Sequence, residues 1–168
     1  MRTTLMRSLL VVLLALTAAA TLPAQNASSQ KFEGILNDYS DAGNAAGAWH
    51  MAGEWSAHIK GNSGKADFVA SIAMVRVPSG ASPHTHHVTL SNADVTELAN
   101  GTGYRIEGQP TITVSGNLAP FTGSPTTIDL VGGTAVLPSN IRVTFQGGAA
   151  GHFGADPVEG VVELQTAD

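Results

Sequence analysis

Residues 49–60 of this chain read WHMAGEWSAHIK, and apolar or small side chains occupy every second position of the run. Successive side chains on a β-strand point to opposite faces, so this period of two predicts a long strand with one buried face. The opposite face is polar and includes His50 and His58. The expected buried face consists of Trp49, Met51, Trp55, Ala57 and Ile59.

Turn signals separate further short runs of the same kind on either side of this strand. A Gly/Asn/Ser turn at 61–65 leads into an expected return strand at 66–77, and Asn100-Gly101 is a strong hairpin signal. Eight to ten short strands with closely spaced turns are typical of a barrel or a two-sheet sandwich. We therefore predict an all-β fold, a small antiparallel β-barrel, in one domain over residues 47–168. The remaining strands are expected at 84–91, 94–98, 104–107, 111–114, 127–131, 134–137, 141–145 and 158–164.

The first 24 residues have the order of an export signal. Arg2 and Arg7 precede the apolar run 9–16, which is followed by small residues and by Leu22-Pro23-Ala24. The apolar run is shorter than the roughly 20 residues that a membrane span needs. We expect a signal peptide at 1–24, export to the periplasm or the extracellular space, and no membrane span after cleavage.

Residues 25–46 are predicted to connect the signal peptide to the barrel. Their large apolar side chains are Phe32, Ile35, Leu36 and Tyr39. The intervals of three and four residues between them predict one short amphipathic helix.

Composition and charge exclude several classes of function. The chain has no cysteine, which rules out disulfides, thiol nucleophiles and thiolate ligands. Beyond residue 24, six Lys and Arg stand against thirteen Asp and Glu, and the basic residues are scattered singly. Nucleic acid requires a clustered basic face, so we expect no nucleic-acid partner. No nucleophile-elbow, zinc-protease or phosphate-loop motif is present.

The stretch 82–90, SPHTHHVTL, places three of the six histidines within four positions. On a regular strand His84 and His86 share the face of Val88 and Leu90, whereas His87 points the other way. Neutral imidazole is the commonest protein ligand of metals, and zinc takes three or four ligands. His152, in the glycine-rich loop 147–157, is the expected third ligand of one divalent ion of unspecified identity.

Each of these residues also has a purely structural interpretation. His84 and His86 could be a solvated strand end, and His152 a loop residue that caps nearby backbone. His87 could hold a metal-binding residue in position without binding the metal itself. The structural interpretation of His87, His50 and His58 is that they are exposed on the surface. Glu107 is either a carboxylate ligand or general base, or an outward-facing strand residue. A last group could line a cavity for a small molecule or simply fill the core: Trp49, Trp55, Phe68 and Met74.

Two short segments resemble motifs of known families. Gly47-Ala48-Trp49 resembles the G-x-W signature that opens the barrel of lipocalins and related calycins. Gly80 to His86 resembles the opening of a cupin metal motif, in which H-x-H after a Gly/Pro turn supplies two ligands; His152 would match the histidine of the second cupin motif. The first resemblance implies a ligand-holding barrel, and the second implies a metal site.

The sequence thus supports three hypotheses. The first is an exported β-barrel that binds a small molecule or a metal ion in its interior through the histidine cluster. The second is a metal-dependent cupin-like enzyme, or a barrel cyclase or isomerase. The third is a surface interaction module without chemistry.

Overall fold

The computed structural model describes residues 28–40, 48–115, 117–133 and 138–167. The predicted signal peptide, residues 25–27 and 41–46 of the predicted connector and the predicted strand 134–137 lie outside these residues. Within them, ten strands and one α-helix form. They are β1 (Gln30–Ser40), β2 (Trp49–Ile59), β3 (Lys65–Arg76), β4 (His84–Glu97), β5 (Gly103–Gly108), β6 (Thr111–Val114), β7 (Asn117–Leu118), β8 (Thr126–Val131), β9 (Asn140–Phe145), α1 (Gly147–Phe153) and β10 (Val158–Ala167).

Eight of these strands close an antiparallel barrel in the order β3-β2-β1-β10-β9-β8-β5-β4, and β4 pairs with β3 to complete the ring. Closure leaves no exposed sheet edge around the ring, because each strand of the ring is paired on both sides. The predictions of an all-β fold and of an antiparallel β-barrel are therefore both confirmed.

Strand β4 has two different neighbours on one of its sides. Its second half, from Asp94 to Glu97, pairs with β5, whereas its first half, from His86 to Thr89, pairs with β6 of the β6–β7 hairpin. The strand bends between the two halves at Asn92, whose φ is 56°. The side chain of Asp67 holds this bend by accepting a hydrogen bond from the backbone N–H of Asn92 at 2.7 Å.

The interior of the barrel is filled with apolar side chains. The inward face predicted for residues 49–59 is confirmed, since Trp49, Met51, Trp55, Ala57 and Ile59 are all buried. The large side chains that join them from other strands include Phe32, Leu36, Phe68, Ile72, Met74, Leu90, Ile106, Ile112, Ile128, Leu130 and Phe145.

The short helix predicted between Phe32 and Tyr39 is wrong, because these residues form β1. Phe32 and Leu36 point into the barrel, while Ile35 and Tyr39 are exposed on its outer face. Residues 30–40 pair with β2 along their whole length and residues 30–36 also pair with β10. This pairing closes the ring, so tertiary hydrogen bonding overrides a local spacing that also fits a helix.

The loop predicted at 147–157 contains helix α1 instead. Its glycines disfavour a helix, but Ala149 and Phe153, four residues apart, lie on one face and are fully buried. The ring of Phe153 stacks on Phe145 with centroids 4.1 Å apart. Packing against the barrel therefore stabilises a helix that its sequence alone would not.

Candidate metal centre

Strand β4 places two histidines at one end of the barrel interior. His86 pairs with Ile72 of β3 and is 1 % exposed, and His84 precedes it by two residues on the same face. Val88 and Leu90 continue this face into the core, while His87 is exposed on the outer surface. The predicted register of the strand is confirmed.

Helix α1 supplies the third histidine from the opposite side of this end. The buried face of the helix, with Phe153, fixes its position against the barrel, and the next residue back, His152, projects toward β4. His152 lies 66 residues from His86 in sequence, yet their rings have centroids only 4.8 Å apart.

The ligand nitrogens of the three histidines lie within 4.8 Å of one another. Nε2 of His152 lies 2.8 Å from Nε2 of His86 and 3.2 Å from Nε2 of His84. Tetrahedral zinc with Zn–N bonds of about 2.0–2.1 Å would place its nitrogen ligands about 3.3 Å apart. The three residues are therefore close enough to hold one metal ion, and they form the only such group among the described residues.

Hydrogen bonding fixes which nitrogen of His84 carries the proton. Nδ1 lies 2.8 Å from the backbone carbonyl oxygen of Ser82, which can only accept, so Nδ1 is the donor. In the neutral ring Nε2 then holds a lone pair directed at the other histidines. Ser82 adopts a left-handed φ of 54° in the turn just before β4. A hydrogen bond from the ring nitrogen that does not bind the metal typically orients a metal-binding histidine.

Burial keeps the other two rings uncharged. Desolvation, followed by the neighbouring His152 and His84, lowers the pKa of His86 from 6.5 to about 4. Desolvation is also the main cause that lowers the pKa of His152, with smaller contributions from His84 and Arg76. Nδ1 of His86 is buried without a well-formed hydrogen bond among the described residues. The backbone of Thr113 acts in the opposite direction to burial and partly offsets the lowering of the His86 pKa. Both rings are neutral at pH 7, the form that can donate to a metal.

Aromatic rings surround the three histidines. Trp49 meets His84 edge-on with centroids 5.0 Å apart, and Phe121 stacks on His152 at 5.2 Å. Phe153 contacts His86 at 5.0 Å. Such an apolar shell lowers the local dielectric and so strengthens every electrostatic interaction inside it.

The cationic side chain of Arg76 borders this shell. The guanidinium of Arg76 lies over the indole of Trp49, 4.0 Å from its centroid. Arg76 pairs directly with Trp49 in the β2–β3 ladder, so both side chains point to the same face of the sheet. The sequence patterns did not single out Arg76. Pairing the residues of β2 and β3 outward from the turn at 61–65 would have placed it opposite Trp49. Phe121 lies in a loop, and no pattern in the sequence pointed to it as a residue of the site.

The structure separates the other candidate residues from the histidine cluster. His50 lies on the outer face, where its Nε2 is 2.9 Å from Oδ1 of Asn37, and His58 pairs with Asp67 in the β2–β3 ladder. Glu107 is exposed on β5, toward the other half of β4. None of these side chains, nor His87, joins the group of converging Nε2 atoms in the described structure.

The four predicted cavity residues are all part of the buried core. Trp55 stacks on Phe68 at 6.3 Å and lies 3.3 Å, through Nε1, from the carbonyl oxygen of Val161. Met74 is likewise buried. The ring of Trp49 contacts His84 and His152, and Met74 is the cross-strand partner of His84, so Trp49 belongs to the wall of the candidate site. A role of the others in ligand binding stays a prediction.

Comparison with known proteins leaves the family open. No protein-family model, no curated protein and no solved structure matches this chain. The closed barrel and its histidine cluster are compatible with a calycin-like or a cupin-like barrel. None of the described helices is both long enough and apolar enough to span a bilayer.

Proposed function

We propose that this protein is an exported β-barrel that binds one divalent transition-metal ion through Nε2 of His84, His86 and His152. The observation that carries the proposal is the convergence of these three atoms, two pairs of which are 2.8 and 3.2 Å apart. A proton on Nε2 of His152 can be donated fully to only one neighbouring lone pair at a time. A metal ion satisfies all three lone pairs at once.

The donor set favours a particular group of metals. Three neutral imidazoles suit zinc, copper, iron or nickel, whereas calcium and magnesium take oxygen ligands. Three protein ligands leave a position open in a tetrahedral zinc site, which is typical of catalytic rather than purely structural sites. A bound ion would supply a Lewis acid there, and the residues of this chain would hold it, orient it and surround it with apolar rings.

We also infer a calycin-like barrel in preference to a cupin-like one. Around the ring, successive strands of the chain are neighbours, apart from the inserted β6–β7 hairpin. This up-and-down order is typical of lipocalins, whereas cupins are jelly rolls. The strand order thus favours the calycin type, whereas the G-x-W resemblance falls at the start of β2, the second strand of the barrel, and the histidine pair remains a local similarity to cupins.

The test is a titration of the protein, purified without a polyhistidine tag, with Zn²⁺ at neutral pH. We expect one equivalent to bind, and elemental analysis of protein from its native host to find a stoichiometric metal. Loss of groups that merely orient ligands weakens metal binding about 10- to 100-fold. Replacing a ligand, as in His84→Ala, His86→Ala or His152→Ala, should therefore weaken it more than about 100-fold.

The matched control is His87→Ala, which removes the same side chain from the opposite face of the same strand. It should bind Zn²⁺ like the parent protein. A parent protein that binds no metal, or ligand variants that bind as tightly as the parent, would refute the metal site. Export is tested separately by the N-terminus of the protein in its native host, which should begin near Gln25 or Thr21.

A further inference from the structure

Exposed apolar side chains are concentrated on one side of the outer surface of the barrel. Six large apolar side chains are exposed in the described part of the chain, and four of these belong to the neighbouring strands β10, β1, β2 and β3: Val161, Leu164, Ile35 and Val69. Ile35 and Val161 are direct cross-strand partners. Exposed apolar groups that cluster in this way mark interaction surfaces on soluble proteins.

The register of the strands places carboxylates among these apolar side chains. One row of cross-strand partners runs across the sheet through Val161, Ile35, Glu54, Ser71 and His87. The row beside it runs through Leu164, Glu33, Ser56, Val69 and Thr89. Each row crosses five strands, a distance of roughly 19 Å at about 4.8 Å between neighbouring strands.

The two rows line a groove of about 530 Å³ on the outer face of the sheet. The short side chains of Ser56 and Ser71 leave room between the longer side chains of Ile35, Glu54 and Val69. Glu163, in the bulged part of β10, also lines it. We call this feature the outer groove. Its lining combines apolar, hydroxyl and carboxylate groups.

The carboxylates of the outer groove lack counter-charges. Glu33 forms an ion pair with Lys31, but the exposed carboxylates of Glu54 and Glu163 form no ion pair or hydrogen bond with another described residue. A second copy of this chain would bring like charges together, and an anionic bilayer would be repelled. An occupant that carries both positive charge and apolar groups fits this lining best.

We propose that the outer groove docks a basic amphipathic segment of a partner protein. Its apolar side chains would contact Ile35 and Val69, and its Lys or Arg side chains would pair with Glu54 and Glu163. The roughly 19 Å of each row correspond to about 13 residues of α-helix or about six of an extended strand, which is the size of a peptide segment and not of a single small amine. The inference is independent of the proposed metal site, because His86 of that site lies inside the barrel.

The probe is a fluorescently labelled peptide of leucine and lysine whose leucines share one face of a helix. Fluorescence anisotropy measures its binding to the metal-free protein. Two reference peptides of the same length carry glutamate in place of every lysine or serine in place of every leucine. We expect the leucine–lysine peptide to bind one per protein chain, and at least about tenfold more tightly than either reference peptide. Added salt should weaken its binding, because salt screens exposed charges.

The decisive variant combines Glu54→Gln with Glu163→Gln, which removes both unpaired carboxylates and keeps the shape of the side chains. It should weaken peptide binding about three- to tenfold, since two exposed charge pairs are lost. Ile35→Ser should weaken it by a similar factor through the loss of apolar contact. If Ile35→Ser does not fold, the glutamine variant decides the question.

The matched controls make the same changes outside the outer groove. Glu97→Gln combined with Glu107→Gln removes two exposed carboxylates from β4 and β5, and Leu118→Ser removes an exposed apolar side chain from β7. Both controls should bind the peptide like the parent protein. If the control pair weakens binding as much as the Glu54 and Glu163 pair, the overall negative charge of the protein holds the peptide and the inference is wrong.

Other occupants of the outer groove would also overturn the inference. If the serine–lysine peptide or spermine binds as tightly as the leucine–lysine peptide, the groove selects a cation alone. If the parent protein sediments as a dimer and Ile35→Ser as a monomer, a second copy of the chain covers the groove. If the parent binds phosphatidylglycerol vesicles and Ile35→Ser does not, the groove faces a membrane.

Discussion

At the scale of single residues, the decisive feature is a histidine that the fold keeps uncharged. His86 is almost completely buried, and its pKa in the folded protein is about 4, below the unfolded value of 6.5. The unfolded chain therefore binds more protons than the native one between these two values. The contribution of neutral His86 to the free energy of unfolding is fully present above pH 6.5 and is lost as the pH falls toward 4.

We predict that the metal-free protein loses on the order of 3 kcal/mol of its free energy of unfolding between pH 6.5 and 4 through His86 alone. Urea unfolding at a series of pH values measures this loss. In His86→Gln, which does not titrate, the slope over that interval should become shallower. An equally steep slope in the variant would assign the pH dependence to other groups.

At the scale of elements, glycines set how closely strands approach. A Cβ on Gly53 of β2 would overlap the carbonyl oxygen of Ser71 on β3. These two strands also place Trp49 beside Arg76, so the spacing between them matters to the wall of the site.

Two Gly→Ala substitutions should therefore have opposite effects on stability. Gly53→Ala should destabilise the protein by about 1–3 kcal/mol, since β2 and β3 would have to move apart. Gly151→Ala, in an exposed position of α1 with no atom near the added methyl group, should stabilise it by about 0.5–1 kcal/mol. Chemical denaturation of both variants checks the prediction. A destabilised Gly151→Ala would mean that α1 is not a helix in solution.

At the scale of the whole molecule, the proposed ion would join two distant parts of the chain. His84 and His152 are 68 residues apart in sequence and reach the same point only when β4 and α1 are both in place. An unfolded chain cannot present this arrangement, so metal binding must stabilise the native state.

We predict that Zn²⁺ at about 1,000 times its dissociation constant adds roughly 4 kcal/mol to the free energy of unfolding. For a domain of this size that corresponds to a rise in Tm of roughly 10–15 °C. A thermal melt with and without Zn²⁺ measures the shift, and a chelator should reverse it. His152→Ala should show almost no shift; a shift as large as that of the parent would place the bound ion elsewhere.

The sequence by itself determined the β-class of the fold and the orientation of its central strands. Period-two alternation is a local property, because each side chain's face follows from its neighbours along the strand. For this reason the burial of Trp49 and Trp55, and the opposite directions of His86 and His87, could be predicted from the order of residues alone.

Only the tertiary structure decided which segments close the barrel and which side chains meet. Residues 30–40 fit a helix by local spacing, but pairing with β2 and β10 makes them a strand. The glycine-rich segment 147–153 fits a loop, but burial of Phe153 makes it a helix and brings His152 within 2.8 Å of His86. His152 could be named as a candidate from its residue type. Contacts join His152 to β4, and they join Phe121 to both His152 and β4. These contacts arise between segments far apart in sequence, which local periodicity does not encode.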